Sequence, residues 1–280
     1  MMNGFNSKEN YIINDIRNRL YEQNRNWLCV VCGQTGLGKS LASVKIAKMI
    51  NPDFNSDFVA FTAKEFLDIL NSNPPKGSVI VFDEAGISIS SREWYTITNK
   101  ILNYVFQTFR YMNIAVIFTV PDFKFIDKQS RTLFHSYVEL VDIDYKKSRS
   151  IVKWMIMQNN PKTGKIYFKY PRVEGKKIKR IFIHKPDKKL IKEYDKKQKK
   201  YKNRLRKELS KELDEIEDMK NSPEKIDKAV AEIIKNPDKF LRKYNKREFI
   251  DKEIVMNTFK VSNVKAIRIK KLAEAELLHT

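Results

Sequence analysis

The sequence of residues 27–40, WLCVVCGQTGLGKS, decides the fold. It begins with a short apolar run, residues 28–32, which ends at a glycine. After four intervening residues comes Gly-Lys-Ser at positions 38–40, and an apolar helical pattern follows over residues 41–50. The spacing G-x-x-x-x-G-K-S between a strand and a helix predicts a phosphate-binding loop, the Walker A motif.

The residue types in this loop suit the phosphates of ATP. Glycine adopts backbone angles that are closed to other residues, so successive N–H groups can turn towards the phosphates. The following helix adds the positive end of its dipole. We expect Lys39 to contact the β- and γ-phosphates and the Ser40 hydroxyl to bind Mg²⁺. The predicted nucleotide-binding residues are the loop and the start of the helix: Gly33, Gln34, Thr35, Gly36, Leu37, Gly38, Lys39, Ser40 and Leu41.

A second motif supplies the carboxylates that hydrolysis requires. Residues 78–82, SVIVF, form a continuous apolar run typical of a strand buried on both faces, and Asp83-Glu84 follows directly. This is the Walker B pattern, about 45 residues after the Walker A motif. We expect Asp83 to hold Mg²⁺ through its water shell. We expect Glu84 to orient or deprotonate the water that attacks the γ-phosphate.

Further apolar runs over residues 58–61, 114–120 and 135–143 complete five predicted strands. Helical patterns flank them over residues 7–26, 41–50, 63–71, 94–111 and 125–134. The alternation predicts an α/β parallel sheet that binds phosphates at the carboxyl ends of its strands. Thr119 lies near such an end and is a candidate γ-phosphate sensor, with an ordinary β-branched strand residue as the alternative. A capping box, Thr62-x-x-Glu65, marks the start of the helix at residue 63.

The charge of +21 is distributed unevenly along the chain. Residues 1–150 contain 18 basic and 15 acidic residues, whereas residues 151–280 contain 37 and 19. This asymmetry indicates a polyanionic partner, either nucleic acid or an anionic membrane surface. The alternative is that lysine-rich helices only keep the chain soluble.

Other features exclude some classes of protein. No apolar run approaches the roughly 20 residues that a membrane-spanning helix needs, and the first residues lack the apolar middle of a secretory signal. We therefore expect a cytoplasmic protein without a transmembrane segment, in the host cytoplasm if the gene is viral. The two cysteines, Cys29 and Cys32, have C-x-x-C spacing but would alternate across a strand. We expect buried strand residues rather than a redox or zinc pair.

For residues 151–280, the strongly basic part of the chain, the sequence predicts three strands, a long helix and several further helices. The strand patterns cover residues 150–158, 165–169 and 176–184, and they mix basic and aromatic residues. Such faces bind nucleic acid, or else their lysines protect an ordinary edge sheet. A charged helix follows from residue 186 to about residue 220, with a thin apolar stripe that includes Tyr194 and Tyr201. Further helices are predicted near residues 224–235, 237–244, 248–258 and 263–277.

The last two predicted helices and the turn between them have the pattern of a helix-turn-helix unit. Ser262 would cap the second helix, and Asn263 and Lys265 would lie near base edges. Arg268 and Lys271 would contact phosphates, unless the segment is only a basic helical cap. The predicted domains are a P-loop ATPase core (1–150), a basic β extension (151–185), a long charged helix (186–221) and a C-terminal helix-turn-helix-like domain (222–280).

Residues 28–135 resemble the FtsK–HerA group of P-loop ATPases, and especially the Zot-like packaging ATPases of archaeal and filamentous viruses. The motifs at residues 33–40, 79–85 and 107–121 support this resemblance. It implies the sheet order 5-1-4-3-2 and a ring, usually hexameric, that moves DNA at the expense of ATP. The C-terminal pattern of residues 259–269 looks like the winged-helix tail of FtsK-type translocases.

Such a ring needs a cation that reaches the γ-phosphate of the neighbouring subunit. Arg92, Arg110 and Arg131 are the candidates, of which Arg131 is preferred and Arg110 is next. The predicted function is therefore an ATP-hydrolysing DNA motor that acts as a homo-oligomeric ring. A nucleotide-switched DNA loader or partition ATPase without processive translocation is the alternative. A third reading, from the Zot resemblance, is an assembly ATPase for virus export.

Overall fold

The computed structural model describes residues 8–83, 112–221, 223–244, 247–261 and 263–277. Contacts divide the chain into two compact units, residues 1–201 and residues 202–280. The helix predicted over residues 94–111 lies outside the described residues. None of the described helices combines the length and the apolarity that crossing a membrane requires.

The first unit is built on one mixed sheet. Its strands in chain order are β1 (Trp27–Cys32), β2 (Val59–Ala60), β3 (Val79–Phe82), β4 (Ala115–Val120), β5 (Ser136–Asp144), β6 (Arg149–Asn159), β7 (Ile166–Lys169) and β10 (Ile181–His184). Their spatial order is β10-β6-β5-β1-β4-β3-β2, with β7 paired to β6. Strands β1 to β5 pair in parallel, and the others are antiparallel to their neighbours. The predicted α/β class and the order 5-1-4-3-2 are therefore confirmed.

The central strands β1, β3 and β4 are buried at every residue. Helices cover a parallel sheet on both faces, so its inner strands carry continuous apolar runs rather than alternating ones. Cys29 and Cys32 are buried in β1 as free thiols, as the sequence predicts. These strands end together at one edge of the sheet, where the Walker motifs follow.

Three helices accompany these strands: α1 (Lys8–Tyr21), α2 (Lys39–Ile50) and α3 (Ala63–Asn71). The Thr62 side chain caps α3 as predicted, and the Glu65 carboxylate reaches back one residue further than in a standard capping box, to Phe61. The Thr62 side chain accepts a hydrogen bond from the Glu65 amide at 3.1 Å, and the Glu65 carboxylate accepts one from the Phe61 amide at 2.9 Å. The prediction of α1 as far as residue 26 was too long, because the chain turns at Asn24 with φ of 51°.

The short helix predicted over residues 125–134 is wrong. Two 3₁₀ turns, Phe123–Phe125 and Ser130–Leu133, occupy this segment instead. Asp122 accepts a hydrogen bond from the Lys124 amide, and Asp127 accepts hydrogen bonds from the amides of residues 129 and 130. Aspartate side chains that bind nearby amides compete with helical hydrogen bonds and favour short turns.

The strands after residue 149 extend the main sheet past β5. Trp154 of β6 stacks on Trp27 of β1 with ring centroids 6.2 Å apart. The strand predicted over residues 176–184 is divided: β8 (Arg172–Val173) and β9 (Lys176–Lys177) form a small hairpin, and β10 is separate. Glu174 and Gly175 at the tip both have positive φ, as a tight two-residue hairpin turn requires.

The long helix α4 (Lys188–Asn221) matches its predicted bounds closely, and the first unit ends within it at residue 201. In the second unit, α5 (Pro223–Lys235), a hairpin of β11 (Leu241–Tyr244) and β12 (Arg247–Ile250), α6 (Lys252–Phe259) and α7 (Asn263–Leu277) follow. These elements share a small apolar core.

The predicted helix over residues 237–244 is wrong, since a 3₁₀ turn and β11 occupy it. The helix predicted from residue 248 begins instead at Lys252, because Asp251 caps it by accepting the Glu253 amide at 2.8 Å. Strands of four residues are too short to show a period that distinguishes them from a helix. The bounds of α7 agree with the prediction.

His135 connects α1 to the sheet and generates a prediction about stability. Its Nδ1 accepts a hydrogen bond from the Leu28 amide at 3.0 Å, and Arg19 Nη2 lies 2.7 Å from its Nε2. Burial, together with the positive charge of Arg19, lowers the pKa of His135 from 6.5 to about 4. Between these two pH values the unfolded chain binds a proton that the folded chain does not, so lowering the pH favours unfolding.

We expect the contribution of His135 to the free energy of unfolding to be complete above pH 6.5 and to fall as the pH decreases towards 4. The slope is at most about 1.4 kcal/mol per pH unit. Urea unfolding monitored by tryptophan fluorescence measures this slope, since Trp27 and Trp154 are buried in the first unit. His135→Gln should flatten this part of the pH dependence, whereas His184→Gln, at an exposed position, should not. Equal slopes in the two variants would contradict the assignment.

Candidate nucleotide site

The Walker A loop joins β1 to α2 and has the backbone that its glycines predict. Gly36 and Gly38 have φ of 91° and 77°, in the left-handed region that favours glycine. A Cβ atom at Gly33 would lie 3.0 Å from Leu140 Cβ on the neighbouring strand β5. The loop is open to solvent at its tip, where Gln34, Thr35 and Gly36 are exposed, while Leu37, Ser40 and Leu41 are half-buried.

Lys39, the first residue of α2, lies across the loop. Its ammonium group donates hydrogen bonds to the Gly33 carbonyl at 2.8 Å and to the Gln34 carbonyl at 3.1 Å. Only 7% of the residue is exposed. A positive charge is therefore held at the amino end of a helix, where unpaired amides and the helix dipole also favour an anion.

Asp83 follows β3 and is completely buried. Its Oδ1 accepts a hydrogen bond from the Ser40 hydroxyl at 3.0 Å and another from the Thr119 hydroxyl at 2.6 Å. Its Oδ2 accepts a hydrogen bond from the Tyr194 hydroxyl. The structure thus brings together Ser40 and Asp83, the predicted metal-binding pair. Thr119, the predicted γ-phosphate sensor, is hydrogen-bonded to the same carboxylate.

Tyr194 belongs to the first half of α4, and sequence reasoning missed its role. Its ring lies 5.9 Å from that of Phe61, which also stacks on Tyr201 at 5.2 Å. Gln198 donates a hydrogen bond to the Tyr194 hydroxyl at 2.7 Å. The sequence signal was a pair of tyrosines seven residues apart in a lysine-rich helix, which indicates a buried face but does not identify its partner.

Lys197 links the same part of α4 by hydrogen bonds to the segment that leads into β2. Its ammonium group donates to the backbone carbonyls of Ser56 at 3.0 Å and of Asp57 at 3.4 Å, and also to that of Val59. Burial lowers the pKa of Lys197, while the carboxylates of Glu65 and Asp57 act in the opposite direction. Helix α4 is therefore held beside β2 by backbone acceptors as well as by aromatic packing.

Four other predicted residues are not brought into this group. Glu84, Arg92 and Arg110 lie outside the described residues. Arg131 lies in the second 3₁₀ turn, where its guanidinium group donates to the carbonyls of Ile126 at 2.8 Å and of Lys124 at 3.3 Å. The same group lies 5.2 Å from the centre of the Phe123 ring. In this chain, Arg131 therefore makes its contacts within its own loop.

The oxygen atoms of Asp83 and Ser40 are ligands that suit Mg²⁺ rather than a softer metal. Magnesium prefers oxygen ligands and is held in nucleotide sites by one or two protein groups together with phosphates and water. Here a buried carboxylate and a serine hydroxyl lie side by side next to the phosphate loop. Among the residues that the structure describes, no group of three or more His, Cys, Asp or Glu side chains is placed to hold a metal.

A parallel sheet of this order, with a Walker A loop after β1 and a buried aspartate after β3, defines a P-loop nucleotide-binding protein. A family profile described as zonular occludens toxin (Zot) matches residues 35–180. Because the match covers more than half of the chain, the chain belongs to the Zot family. No curated protein sequence matches it significantly.

Two solved structures resemble the chain. The N-terminal domain of zonular occludens toxin from Neisseria meningitidis is 17% identical, with a TM-score of 0.31, and the match covers 54% of this chain and 96% of that one. The flagellar accessory protein FlaH from Methanocaldococcus jannaschii is 14% identical, with a TM-score of 0.26, and the match covers 52% of this chain and 90% of that one.

The hydroxyl of Thr119 allows the environment of Asp83 to be tested through stability. Thr119→Val keeps the shape of the side chain but removes a donor from a buried carboxylate, which should cost about 1.5–3 kcal/mol of the free energy of unfolding. Thr163→Val makes the same substitution at an exposed turn position, where the hydroxyl only accepts a long hydrogen bond of 3.4 Å from the Lys165 amide, and it should change this free energy by less than about 0.5 kcal/mol. Urea unfolding of both variants measures the difference. Equal effects would show that the Thr119 hydroxyl does not support Asp83.

Proposed function

We propose that this protein is a Mg²⁺-dependent ATPase. The observation that supports the proposal is the 3.0 Å hydrogen bond between Ser40 and Asp83, which are 43 positions apart in the sequence. The bond joins the end of the Walker A loop to the end of the Walker B strand. Beside it, the Lys39 ammonium group spans the loop. A metal-binding pair next to a cationic phosphate cradle is the arrangement that phosphoryl transfer needs.

Each residue has a separate role in this proposal. Lys39 stabilises the negative charge of the β- and γ-phosphates, and the loop amides orient them. Ser40 and Asp83 would hold Mg²⁺, which would neutralise charge on the transferred phosphate. Glu84, directly after Asp83 in the sequence, positions and deprotonates the attacking water. Thr119 supports the Asp83 carboxylate from the neighbouring strand β4.

Two variants separate nucleotide binding from hydrolysis. Lys39→Ala should weaken the binding of a fluorescent ATP analogue and abolish phosphate release, because the loop loses its cation. Glu84→Gln should bind the analogue as the wild type does but release phosphate at least 100-fold more slowly, because it cannot accept the proton. Lys45→Ala, in the same helix as Lys39, is the control and should keep both properties. Normal hydrolysis by Lys39→Ala would exclude this site, and fast hydrolysis by Glu84→Gln would assign the base to another residue.

We propose DNA as the partner, and the charge distribution supports one surface of the first unit as the candidate binding surface. Residues 151–201 contain 17 basic and four acidic residues, a net charge of +13, whereas residues 202–280 contain 20 and 15, a net charge of +5. The excess therefore falls on the strands after residue 151 and on the first half of α4. Exposed basic side chains surround the β8–β9 hairpin, namely Arg172, Lys176, Lys177, Lys179 and Arg180. Strand β7 adds the exposed rings of Tyr167 and Phe168, which suit base stacking.

The C-terminal helices are a second candidate DNA surface. Helices α6 and α7 are joined by a short connection, as in a helix-turn-helix unit. Asn263, Arg268 and Lys271 are exposed on α7, while Lys270 pairs with Glu274 at 3.6 Å. Ser262, the predicted cap, lies outside the described residues.

We further propose that the subunits form a ring, as the resemblance to packaging ATPases implies, and that the protein acts in the cytoplasm. Arg131 or Arg110 would complete the neighbouring site. Arg131 would have to leave the carbonyls of Ile126 and Lys124 to do so. A nucleotide-controlled loader without translocation is the second candidate, and the contact between α4 and the Walker B aspartate favours it. Strong stimulation of hydrolysis by DNA in a ring-sized assembly supports the motor, and its absence supports the loader.

The structure determines how the DNA surface should be tested. Deleting residues from 151 onwards would remove β6 and the Trp154 ring that stacks on Trp27, so charge substitutions are preferable. Lys176→Gln, Lys177→Gln and Lys179→Gln together should weaken DNA binding at least 10-fold. They should also reduce the slope of log K against log salt by about 0.9 per lost phosphate contact. Fluorescence anisotropy with labelled DNA measures both.

The matched control replaces three exposed lysines of the nearly neutral part, Lys64, Lys124 and Lys128, by glutamine. This variant loses the same charge and should keep the affinity and slope of the wild type. Equal losses in the two variants would show that only net charge matters. If the triple variant of the hairpin lysines keeps the affinity and slope of the wild type, α7 becomes the candidate DNA surface. Arg268→Gln with Lys271→Gln is then the corresponding test.

A further inference from the structure

The two oxygens of the Asp83 carboxylate have different partners. Oδ1 faces Ser40 and Thr119, whose hydroxyls donate to it at 3.0 Å and 2.6 Å. Oδ2 accepts from Tyr194 of α4. Ser40 marks the side on which a metal and phosphates would bind and contacts Oδ1, whereas Tyr194 contacts the other oxygen, Oδ2.

The position of the Tyr194 hydroxyl is fixed from its own helix. Only 2% of Tyr194 is exposed, and its ring packs against Phe61. Gln198, one turn later in α4, donates to the phenolic oxygen at 2.7 Å. Because this donor uses a lone pair of the phenol, it leaves the phenolic proton for Asp83. Lys197 and Tyr201 hold the same stretch of helix against the segment around β2.

We propose that Tyr194 is a positioning residue for magnesium binding: it holds the Asp83 carboxylate in the rotamer that turns Oδ1 towards Ser40. This inference rests on the proposed function. Without the phenol, Oδ2 loses its donor from α4, and the carboxylate is freer to rotate. Partners that orient a metal-binding group in this way are typically worth 10- to 100-fold in metal affinity.

The contact also makes magnesium binding and the docking of α4 mutually dependent. If a docked α4 raises the affinity for Mg²⁺, then bound Mg²⁺ must favour the docked α4 by the same factor. Bound Mg²⁺ and nucleotide should therefore slow hydrogen exchange in residues 188–201, which belong to the first unit. This effect requires the Tyr194 hydroxyl, because no other side chain of α4 within the described residues donates to Asp83.

The test is a Mg²⁺ titration of the full chain in the presence of a fluorescent ATP analogue. Tyr194→Phe keeps the ring on Phe61 and removes only the hydroxyl. Its Mg²⁺ midpoint should rise at least 10-fold, while its affinity for the analogue in EDTA should equal that of the wild type. Tyr201→Phe, which removes a phenol from the same helix two turns later, is the matched control and should keep the wild-type midpoint. Gln198→Met should shift the midpoint in the same direction by a smaller factor, and it provides the test if Tyr194→Phe does not fold.

Hydrogen exchange supplies a readout that does not depend on turnover. Mg²⁺ and nucleotide should slow exchange in residues 188–201 of the wild type but not of Tyr194→Phe. An unchanged or lower Mg²⁺ midpoint in Tyr194→Phe would overturn the proposal, the latter by showing that Tyr194 competes with the metal. Weaker binding of the analogue in EDTA would also overturn it, since the hydroxyl would then support the whole site. If the wild type itself does not bind the analogue, the proposed function fails, which is a distinct result.

Discussion

A carboxylate that has no contact with solvent needs hydrogen bonds to hold its charge, and Asp83 is such a group. An ionised side chain in an apolar interior is unstable unless donors surround it. The donors come from three parts of the first unit: Ser40 from the start of α2, Thr119 from β4 and Tyr194 from α4. The backbone of Asp83 is also held in place: its amide donates a hydrogen bond to the Ala60 carbonyl at 2.8 Å, which fixes the end of β3 against β2. The sheet order, the phosphate loop and the long helix all converge on this one side chain.

Most of the nucleotide site at the carboxyl edge of the sheet was predictable from the sequence, because its local structure depends on residues that are close together in the chain. The Walker A glycines determine their own backbone angles, and Thr62 and Glu65 cap α3 within five residues. The continuous apolar runs of β1, β3 and β4 reflect burial on both faces. The pairing of Ser40 with Asp83 followed from motif spacing, since parallel strands place their carboxyl ends at one edge. Apart from this pairing, which rests on the two Walker motifs, these inferences required no knowledge of which distant segments meet.

The parts that escaped prediction depend on distant contacts or on short segments. Tyr194 meets Asp83 across 111 positions, and nothing in a lysine-rich helix identifies an aspartate as the partner of one of its tyrosines. Residues 237–244 and 125–134 were predicted as helices, because three or four apolar residues fit either period and short aspartate-capped turns resemble helix starts. The strands β6 and β7 were predicted correctly, but only the structure shows that they and β10 continue the nucleotide-binding sheet past β5. The most basic stretch of the chain thereby becomes part of the same sheet as the phosphate loop.

The burial of the two thiols in β1 has a practical consequence for chemistry at the surface. Burial raises the pKa of Cys29 well above its usual value and that of Cys32 to about 12. Both therefore remain protonated thiols, which react slowly with maleimides and other electrophiles because the thiolate is the nucleophile. Since these are the only cysteines of the chain, the native protein has no reactive thiol at its surface. A single cysteine introduced on α4 or on the β8–β9 hairpin would be labelled selectively, without removing any native residue from the core of the sheet.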